Sequence, residues 1–194
     1  MVGIEDILVV MKSKCACVLL ADGFEETEAV AVIDVLRRAD VKVEVLGVEG
    51  KKVTGSHQIV IEADALLSDR KSERFDLVVL PGGMPGAATL RDHWGVQKLV
   101  QAQHASGGLV AAICAAPIAL GKAGILAGRR ATCFPGFEDQ LGGATFETSA
   151  VVRDGNVITS RGVGTALVFA LALVEALGDK PAAAVLAERM LVAT

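Results

Sequence analysis

Apolar residues follow two alternating periods along the chain. Short runs that are apolar at nearly every position are followed by longer segments in which apolar residues recur every three or four positions. The first pattern is typical of strands covered on both faces, and the second of amphipathic helices. This βαβα alternation predicts a three-layer α/β domain with a mainly parallel sheet.

The predicted elements extend from Cys15 to Leu191. Strands are expected at residues 15–21, 42–48, 76–83, 108–114 and 156–162. Helices are expected at residues 25–39, 96–105, 115–126, 165–177 and 181–191. The stretch VVRDGNVIT places an Asp-Gly turn between two β-prone runs, so we expect a hairpin along one edge of the sheet.

The chain contains no internal repeat and no low-complexity linker at which it would divide. Its 194 residues are enough for one domain that buries about 70% of the surface of its unfolded chain. We therefore predict an N-terminal extension at residues 1–14 and a single domain at residues 15–194.

The chain has four cysteines: Cys15, Cys17, Cys114 and Cys133. So small a fraction does not indicate a disulfide framework, and we expect reduced thiols in an intracellular, cytoplasmic protein. No Cys/His spacing resembles a metal site, and the chain has no glycine-rich phosphate loop. We expect neither a metal nor a cofactor.

Charge and hydropathy limit the partners. Nineteen Lys and Arg against 23 Asp and Glu give a formal charge of -4 without a basic stripe, which argues against nucleic acid. The apolar run Thr165 to Leu177 is too short to cross a bilayer and contains Glu175. We expect a buried helix there and no membrane partner.

Candidate chemistry begins at Cys114, in the stretch LVAAICAAPIAL. This cysteine lies where a predicted strand passes into a predicted helix. Ligands of parallel α/β sheets bind at such joints, and a helix amino end favours a thiolate. A buried cysteine that acts as a small hydrophobe is the alternative interpretation.

A second joint lies in VVLPGGMPGA, where Gly82 and Gly83 follow a predicted strand. Glycines let backbone N–H groups approach a ligand closely. If the two strands are neighbours, the N–H groups of Gly83 and Ala115 can converge on one oxyanion. A turn that merely requires positive φ remains the alternative.

A third candidate is Glu28, in the opening turn of the first predicted helix. It lies on the same helical stripe as Val32, Val35 and Ala39, which points its carboxyl inward. A buried carboxyl needs a proton or a hydrogen-bond partner, and a nearby thiolate would raise its pKa. An acidic residue that only interacts with the helix dipole is the alternative.

Four motifs resemble, in order and spacing, the ThiJ/PfpI superfamily. They are AAICAAP at residues 111–117, LPGG at 80–83, GFEETEAV at 23–30 and TSRGVGTA at 159–166. The resemblance covers nearly the whole chain, and it is closest to the branch of the human parkinsonism-associated protein deglycase and its bacterial homologue YajL.

The resemblance implies a flavodoxin-like homodimer with a nucleophile-elbow cysteine. By this match Cys114 is the oxidisable nucleophile and Glu28 its protonated partner. Gly83 and Ala115 are implied as backbone donors, with Gly82 beside them. Arg38 and Asp34 are implied near the dimer interface and the active-site entrance.

At two positions the chain departs from the pattern of the superfamily, and a third residue is a candidate for an accessory role. Phe134 stands where the human relative carries a histidine, which excludes a Cys-His dyad there. His57 aligns with an arginine that reaches the site from the partner subunit, although a surface turn residue is the alternative. Cys133 precedes Phe134 and is a candidate resolving thiol.

Two classes of function follow. A thiolate with a carboxyl partner suits attack on a reactive carbonyl, so one class is a cofactor-independent glyoxalase or deglycase. Its substrates would be small α-oxoaldehydes such as methylglyoxal, or their glycated adducts. The other class is a redox-responsive chaperone or sensor in which Cys114 is oxidised.

Overall fold

The computed structural model describes residues 14–70 and 74–192. The predicted N-terminal extension, residues 1–14, lies outside the described residues except for Lys14.

The strands and helices alternate along most of the chain as the hydrophobic pattern predicts, but among the described residues the five strands between residues 42 and 80 follow one another without an intervening α-helix. In chain order the strands are β1 (Cys15–Leu20), β2 (Lys42–Gly47), β3 (Lys52–Thr54), β4 (Val60–Glu62), β5 (Ala65–Leu66), β6 (Leu77–Leu80), β7 (Leu109–Ile113), β8 (Arg130–Ala131), β9 (Thr145–Phe146), β10 (Val151–Asp154) and β11 (Val157–Ser160). The α-helices are α1 (Glu26–Arg38), α2 (Gly86–Asp92), α3 (Trp94–Ala105), α4 (Pro117–Lys122), α5 (Ala166–Ala176) and α6 (Lys180–Arg189). Short 3-10 helices lie at Leu67–Arg70, Glu138–Gln140 and Val163–Thr165.

The central sheet has the strand order β10-β11-β7-β6-β1-β2-β5. Every pairing in it is parallel except that of β10 with β11, which form the predicted hairpin at one edge. The carboxyl ends of β6, β7 and β11 therefore lie side by side, with β7 between the other two. This arrangement confirms the mainly parallel sheet and brings three loops together at one edge of it.

Both faces of the sheet are covered. In β1, Ala16, Val18 and Leu20 belong to a core shared with α1, α5 and α6. Cys17 and Leu19 belong to a second core on the opposite face, shared with α2, α3 and α4. Strand side chains alternate between faces, so a run that is apolar at every position supplies both cores and confirms the three predicted layers.

The helix after Cys114 is shorter than predicted. The expected helix at residues 115–126 is reduced to α4, Pro117–Lys122. Proline is favoured in the first turn of a helix, and Gly124 then takes a left-handed conformation with φ 77° that ends it. The predicted pattern also missed β3, β4, β5, β8 and β9, whose two or three residues are too short to show a period.

The apolar run at Thr165 to Leu177 forms the expected buried helix. This helix, α5, buries Phe169, Ala170, Leu173 and Val174. In the described part of the chain, the helices are too short or too polar to span a membrane.

Packing between α5 and the sheet generates a stability prediction. Phe169 is fully buried in the core that α1, α5 and α6 share, so Phe169→Ala should lower the free energy of unfolding by about 3–5 kcal/mol. Urea denaturation measures this change. Val185→Ala, at an exposed position of α6, is the control and should change it by less than about 0.5 kcal/mol.

Candidate active site

Cys114 lies immediately after β7 in a strained backbone conformation. Its φ is 63°, in the left-handed region that a residue with a Cβ rarely adopts. Its N–H donates a hydrogen bond to the carbonyl of Ser160 at 3.0 Å, and its own carbonyl accepts one from Phe134 N–H at 2.8 Å. The structure thus holds this partly buried cysteine on the sharp turn expected from the sequence.

Gly82 lies against both Cys114 and the carboxyl of Glu28. Its N–H donates to Glu28 Oε2 at 2.8 Å. A Cβ at this position would lie 2.5 Å from the Cβ of Cys114 and 2.7 Å from Glu28 Oε2. Only glycine leaves room for both groups.

Glu28 is fully buried, with 0% of its surface exposed. The side chain of Glu25 caps the start of α1 and accepts a hydrogen bond from Glu28 N–H at 2.7 Å. Glu28 Oε1 is buried without a hydrogen-bond partner among the described residues. The Cys114 thiol is the neighbouring group with which this carboxyl interacts.

Burial raises the pKa of both groups in this pair. Desolvation raises the pKa of Glu28 to about 7, although the N–H of Gly82 and the Cys114 thiol act to lower it. Desolvation and the negative charge of Glu28 raise the pKa of Cys114 to about 12. Between these values the pair holds one negative charge and one proton, which belong to the pair rather than to either residue.

The expected thiolate at neutral pH therefore depends on which group holds the shared proton. Beside a charged Glu28, Cys114 remains a thiol because its pKa is about 12. If Glu28 keeps the proton, the charge moves to Cys114, with whose thiol the carboxyl interacts. A buried carboxylate oxygen without a donor is costly, so we favour this second arrangement.

Backbone donors also act on the sulfur. The N–H groups of Ala115 and Gly83 lower the pKa of Cys114 and so stabilise its negative charge. Gly83 has φ 89°, and a Cβ there would collide with the backbone of Glu25 and Gly23. The structure therefore brings together Cys114 and both residues that the sequence indicated as donors.

Phe134 and Gly162 border the other side of the sulfur. A Cβ on Gly162 would lie 3.3 Å from Cδ2 of Phe134 and 4.0 Å from Sγ of Cys114. The Phe134 side chain is 47% exposed. An aromatic ring and a bare glycine backbone thus face the approach to the nucleophile.

His57 lies in a neighbouring polar cluster at the start of α1. Its Nδ1 is 3.0 Å from Glu26 Oε2, and its side chain is 73% exposed. Hydrogen bonds from the His57 side chain and from the backbone of His57 and Ile59 lower the pKa of Glu26 to about 2, against the effect of burial. These contacts fit the interpretation of His57 as a surface turn residue better than a role at the sulfur of its own chain.

Ligand atoms of Glu25, Glu26 and His57 lie within 4.8 Å of one another, which the sequence did not indicate. Within the described ranges this is the one group of side chains with the spacing for a metal ion. Its carboxylates already accept hydrogen bonds from Glu28 N–H and His57 N–H. They serve as caps and turn acceptors.

Arg38 lies away from the sulfur of Cys114, whereas Cys133 belongs to the hydrophobic cluster against which Cys114 packs. Arg38 pairs with Asp34 at 2.6 Å on the exposed side of α1, about 15 Å along the helix from Glu28. Cys133 is fully buried, and burial followed by the charge of Glu138 raises its pKa to about 11. Its role as a resolving thiol remains a prediction.

Sequence reasoning missed three residues that support the site. Glu25 caps the helix that carries Glu28, Ser160 accepts the N–H of Cys114, and Gly162 borders the sulfur. Ser160 and Gly162 lie within the motif TSRGVGTA. The motif indicated that this segment belongs to the site, but it did not indicate which atoms of Ser160 and Gly162 lie near Cys114.

The fold and the site define a flavodoxin-like α/β protein with a cysteine at the nucleophile elbow. The sequence pattern of the DJ-1/PfpI family matches residues 14–176, and the chain belongs to this family. The resemblance to ThiJ/PfpI proteins is thereby confirmed.

Individual relatives are similar over nearly the whole chain. Protein dj-1beta of Drosophila melanogaster is 44% identical over 184 residues, which cover 93% of this chain and 98% of the relative. Its crystal structure superposes with a TM-score of 0.90 at 43% identity, over 94% of this chain and 100% of that one.

Two further relatives bear on chemistry. A Caenorhabditis elegans protein named glutathione-independent glyoxalase DJR-1.2 is 38% identical over 84% of this chain and 89% of its own length. A structure described as Toxoplasma gondii DJ-1, oxidized, has a TM-score of 0.89 at 36% identity, covering 94% of this chain and 100% of that one.

The coupled pair predicts an unusual pH dependence of alkylation at Cys114. The rate with iodoacetamide should rise near pH 7, where the pair loses its first proton, and stay level until the second pKa near 12. Glu28→Gln removes the coupling, so one rise between these values should replace the two. Per-cysteine mass spectrometry measures the rates. Reaction of wild-type Cys114 only at high pH would show that Glu28, not the sulfur, holds the charge.

Proposed function

We propose that this protein is a cysteine-dependent, cofactor-independent glyoxalase that acts on small 2-oxoaldehydes of the methylglyoxal type. A deglycase acting on early adducts of the same aldehydes would use the same site. The observation that carries the proposal is the buried carboxyl of Glu28, held by Gly82 beside the sulfur of Cys114. A pair that shares one proton can both attack a carbonyl and move protons within the adduct.

The first step is addition to the aldehyde. The Cys114 thiolate forms a C–S bond with the aldehyde carbon, and the electron pair of the C=O bond moves to oxygen. In this proposal the N–H groups of Gly83 and Ala115, which stabilise charge on the sulfur, also donate hydrogen bonds to this oxyanion. Glu28 then gives its proton to the oxygen, which completes a hemithioacetal.

The second step moves a proton between the two carbons of the substrate. The Glu28 carboxylate removes the hydrogen of the former aldehyde carbon as a proton, and the electrons form an enediolate with the adjacent carbonyl. Return of that proton to the second carbon, with transfer of the hydroxyl proton from the first oxygen to the second, leaves a thioester, so the first carbon is oxidised and the second reduced. Water releases the hydroxy acid and the Cys114 thiol, and methylglyoxal yields lactate without an external redox agent.

Family membership supports this chemistry at a coarse level. The C. elegans relative is named as a glyoxalase that is independent of glutathione. A protein thiol that forms the hemithioacetal replaces glutathione in such a reaction. The four free cysteines support a reducing, cytoplasmic setting.

A redox-responsive chaperone or sensor is the second candidate. The Toxoplasma gondii relative is described as oxidized, and Cys114 is a partly buried thiol beside a carboxyl. In this role peroxide would convert Cys114 to a sulfinic acid. The same Glu28 would then tune oxidation in place of moving protons in a substrate.

A homodimer is part of the proposal. Val30 of α1 and the adjoining Ile59 and Val60 are exposed apolar residues. Val30 and Ile61 also line one shallow depression between α1 and the hairpin of β3 and β4. A second copy of the chain would bury this apolar surface and bring His57 and Arg38 toward a shared interface.

Replacement of the carboxyl tests the mechanism. Glu28→Gln keeps the shape and the Gly82 hydrogen bond but cannot remove a proton, so turnover of methylglyoxal should fall about 10²-fold or more. Lactate formation measured by NMR is the readout, with Cys114→Ser as the inactive reference. Glu188→Gln, at an exposed position of α6, is the control for replacing a glutamate by glutamine and should keep the wild-type turnover.

The same variant separates the two candidates. Wild-type turnover in Glu28→Gln would overturn the assignment of Glu28 as the base. If that variant instead alters how readily peroxide oxidation of Cys114 stops at sulfinate, the redox role gains support. Absence of turnover in the wild type would refute the glyoxalase proposal itself.

The proposed dimer predicts a mass of twice the 20.0 kDa chain by light scattering at low micromolar concentration. Val60→Asp places a charge on the exposed apolar patch and should shift the mass to that of the monomer. Val185→Asp on α6 is the control and should leave the wild-type mass unchanged. A monomeric wild type would contradict the dimer.

A further inference from the structure

The loops around Cys114 differ in chemistry on its two sides. In the sheet, β7 lies between β6 and β11. The loop after β6 supplies Gly82 and Gly83, which hold Glu28 and stabilise charge on the sulfur. The loop after β11 supplies Gly162, which faces the Phe134 ring. The β6 side therefore presents backbone donors to the sulfur, whereas Gly162 and the Phe134 ring present carbon atoms to it.

Glycine is required at position 162 by the space around it and not by its backbone conformation. Its φ of 161° is extended and open to other residues. A Cβ at this position would press on Phe134 at 3.3 Å and stand 4.0 Å from Sγ of Cys114. The missing side chain thus leaves a space that the sulfur and the aromatic ring share.

Phe134 is fixed against this space. Its N–H donates to the carbonyl of Cys114 at 2.8 Å, which ties its position to the nucleophile. Nearly half of the side chain is exposed, although a phenylalanine of this size is usually buried. An exposed ring at the opening to a nucleophile offers apolar contact to whatever binds there.

We propose that Phe134 and Gly162 form the wall that receives the acyl substituent of the substrate, and that this wall selects 2-oxoaldehydes with an apolar, planar substituent. The inference rests on the proposed function and deepens it. When the aldehyde oxygen binds the N–H groups on the β6 side, the acyl group of the same carbon extends toward β11. Aryl 2-oxoaldehydes such as phenylglyoxal are then preferred to glyoxal, which carries only hydrogen at this position.

Substrate selectivity is the first measurement. Initial rates give the ratio of kcat/KM for phenylglyoxal to that for glyoxal. In Phe134→Ala this ratio should fall about 10-fold, because the apolar contact is lost for one substrate and absent for the other. Gly162→Ala should lower the ratio as well, since its Cβ occupies the shared space, and Phe134→Leu should lower it less. The exposed Val185→Ala on α6 is the control and should keep the wild-type ratio.

Alkylation gives a second measurement that needs no turnover. The Cys114 thiolate displaces bromide from phenacyl bromide or from bromoacetone, forming a C–S bond in each case. The ratio of the two rates compares a phenyl with a methyl group at the same carbonyl, and it should fall about 10-fold in Phe134→Ala. Circular dichroism and the thermal midpoint confirm that each variant is folded.

The two measurements separate failure of this inference from failure of the proposed function. An alkylation ratio in Phe134→Ala that stays within about twofold of the wild type would overturn the wall, whatever the turnover. If the wild type converts no aldehyde but the alkylation ratio falls, the glyoxalase proposal fails and the wall stands. If both ratios fall together, both are supported.

Discussion

The site depends on one residue that is held in an unfavourable backbone conformation. A left-handed Cys114 costs about 1–3 kcal/mol, which neighbouring strands and loops must offset. Its N–H is bound by Ser160, its carbonyl by Phe134, and its Cβ has room because residue 82 is glycine. This turn places the sulfur beside Glu28 and beside the N–H of Ala115, in the loop that leads into α4. Parallel pairing of β7 with both β6 and β11 supplies all of these neighbours at once.

Electrostatics explains why the site uses two acidic groups in a dry environment. Glu28 and Cys114 are each too buried to ionise easily alone, yet together they carry a single charge that backbone N–H groups stabilise. The carboxyl is positioned by α1, whose first turn is fixed by the Glu25 cap. A substitution at the start of this helix would therefore alter the charge on the sulfur through Glu28, without contacting Cys114 itself.

Much of this fold could be predicted from the sequence, because the strands that carry the site are apolar at nearly every position. The predicted strand at residues 108–114 is observed at Leu109–Ile113, and the hairpin at the sheet edge follows from its Asp-Gly turn. The inward direction of Glu28 was likewise readable from its helical stripe. Strands of two or three residues show no period, and the support of Cys114 by Ser160 joins positions far apart in the chain. The charge of Cys114 depends on how deeply two groups are buried together, which no local pattern encodes.

Gly82 links the groups of the site in a way that mutational analysis must respect. Because any Cβ at this position meets both Cys114 and Glu28, a substitution there displaces the nucleophile and the acid together. Its effect cannot be divided into a contribution from each, and it will not add to the effects of changes at those two residues. Positions 28, 82 and 114 therefore behave as one energetically coupled unit, although they come from a helix and two loops that are distant in sequence.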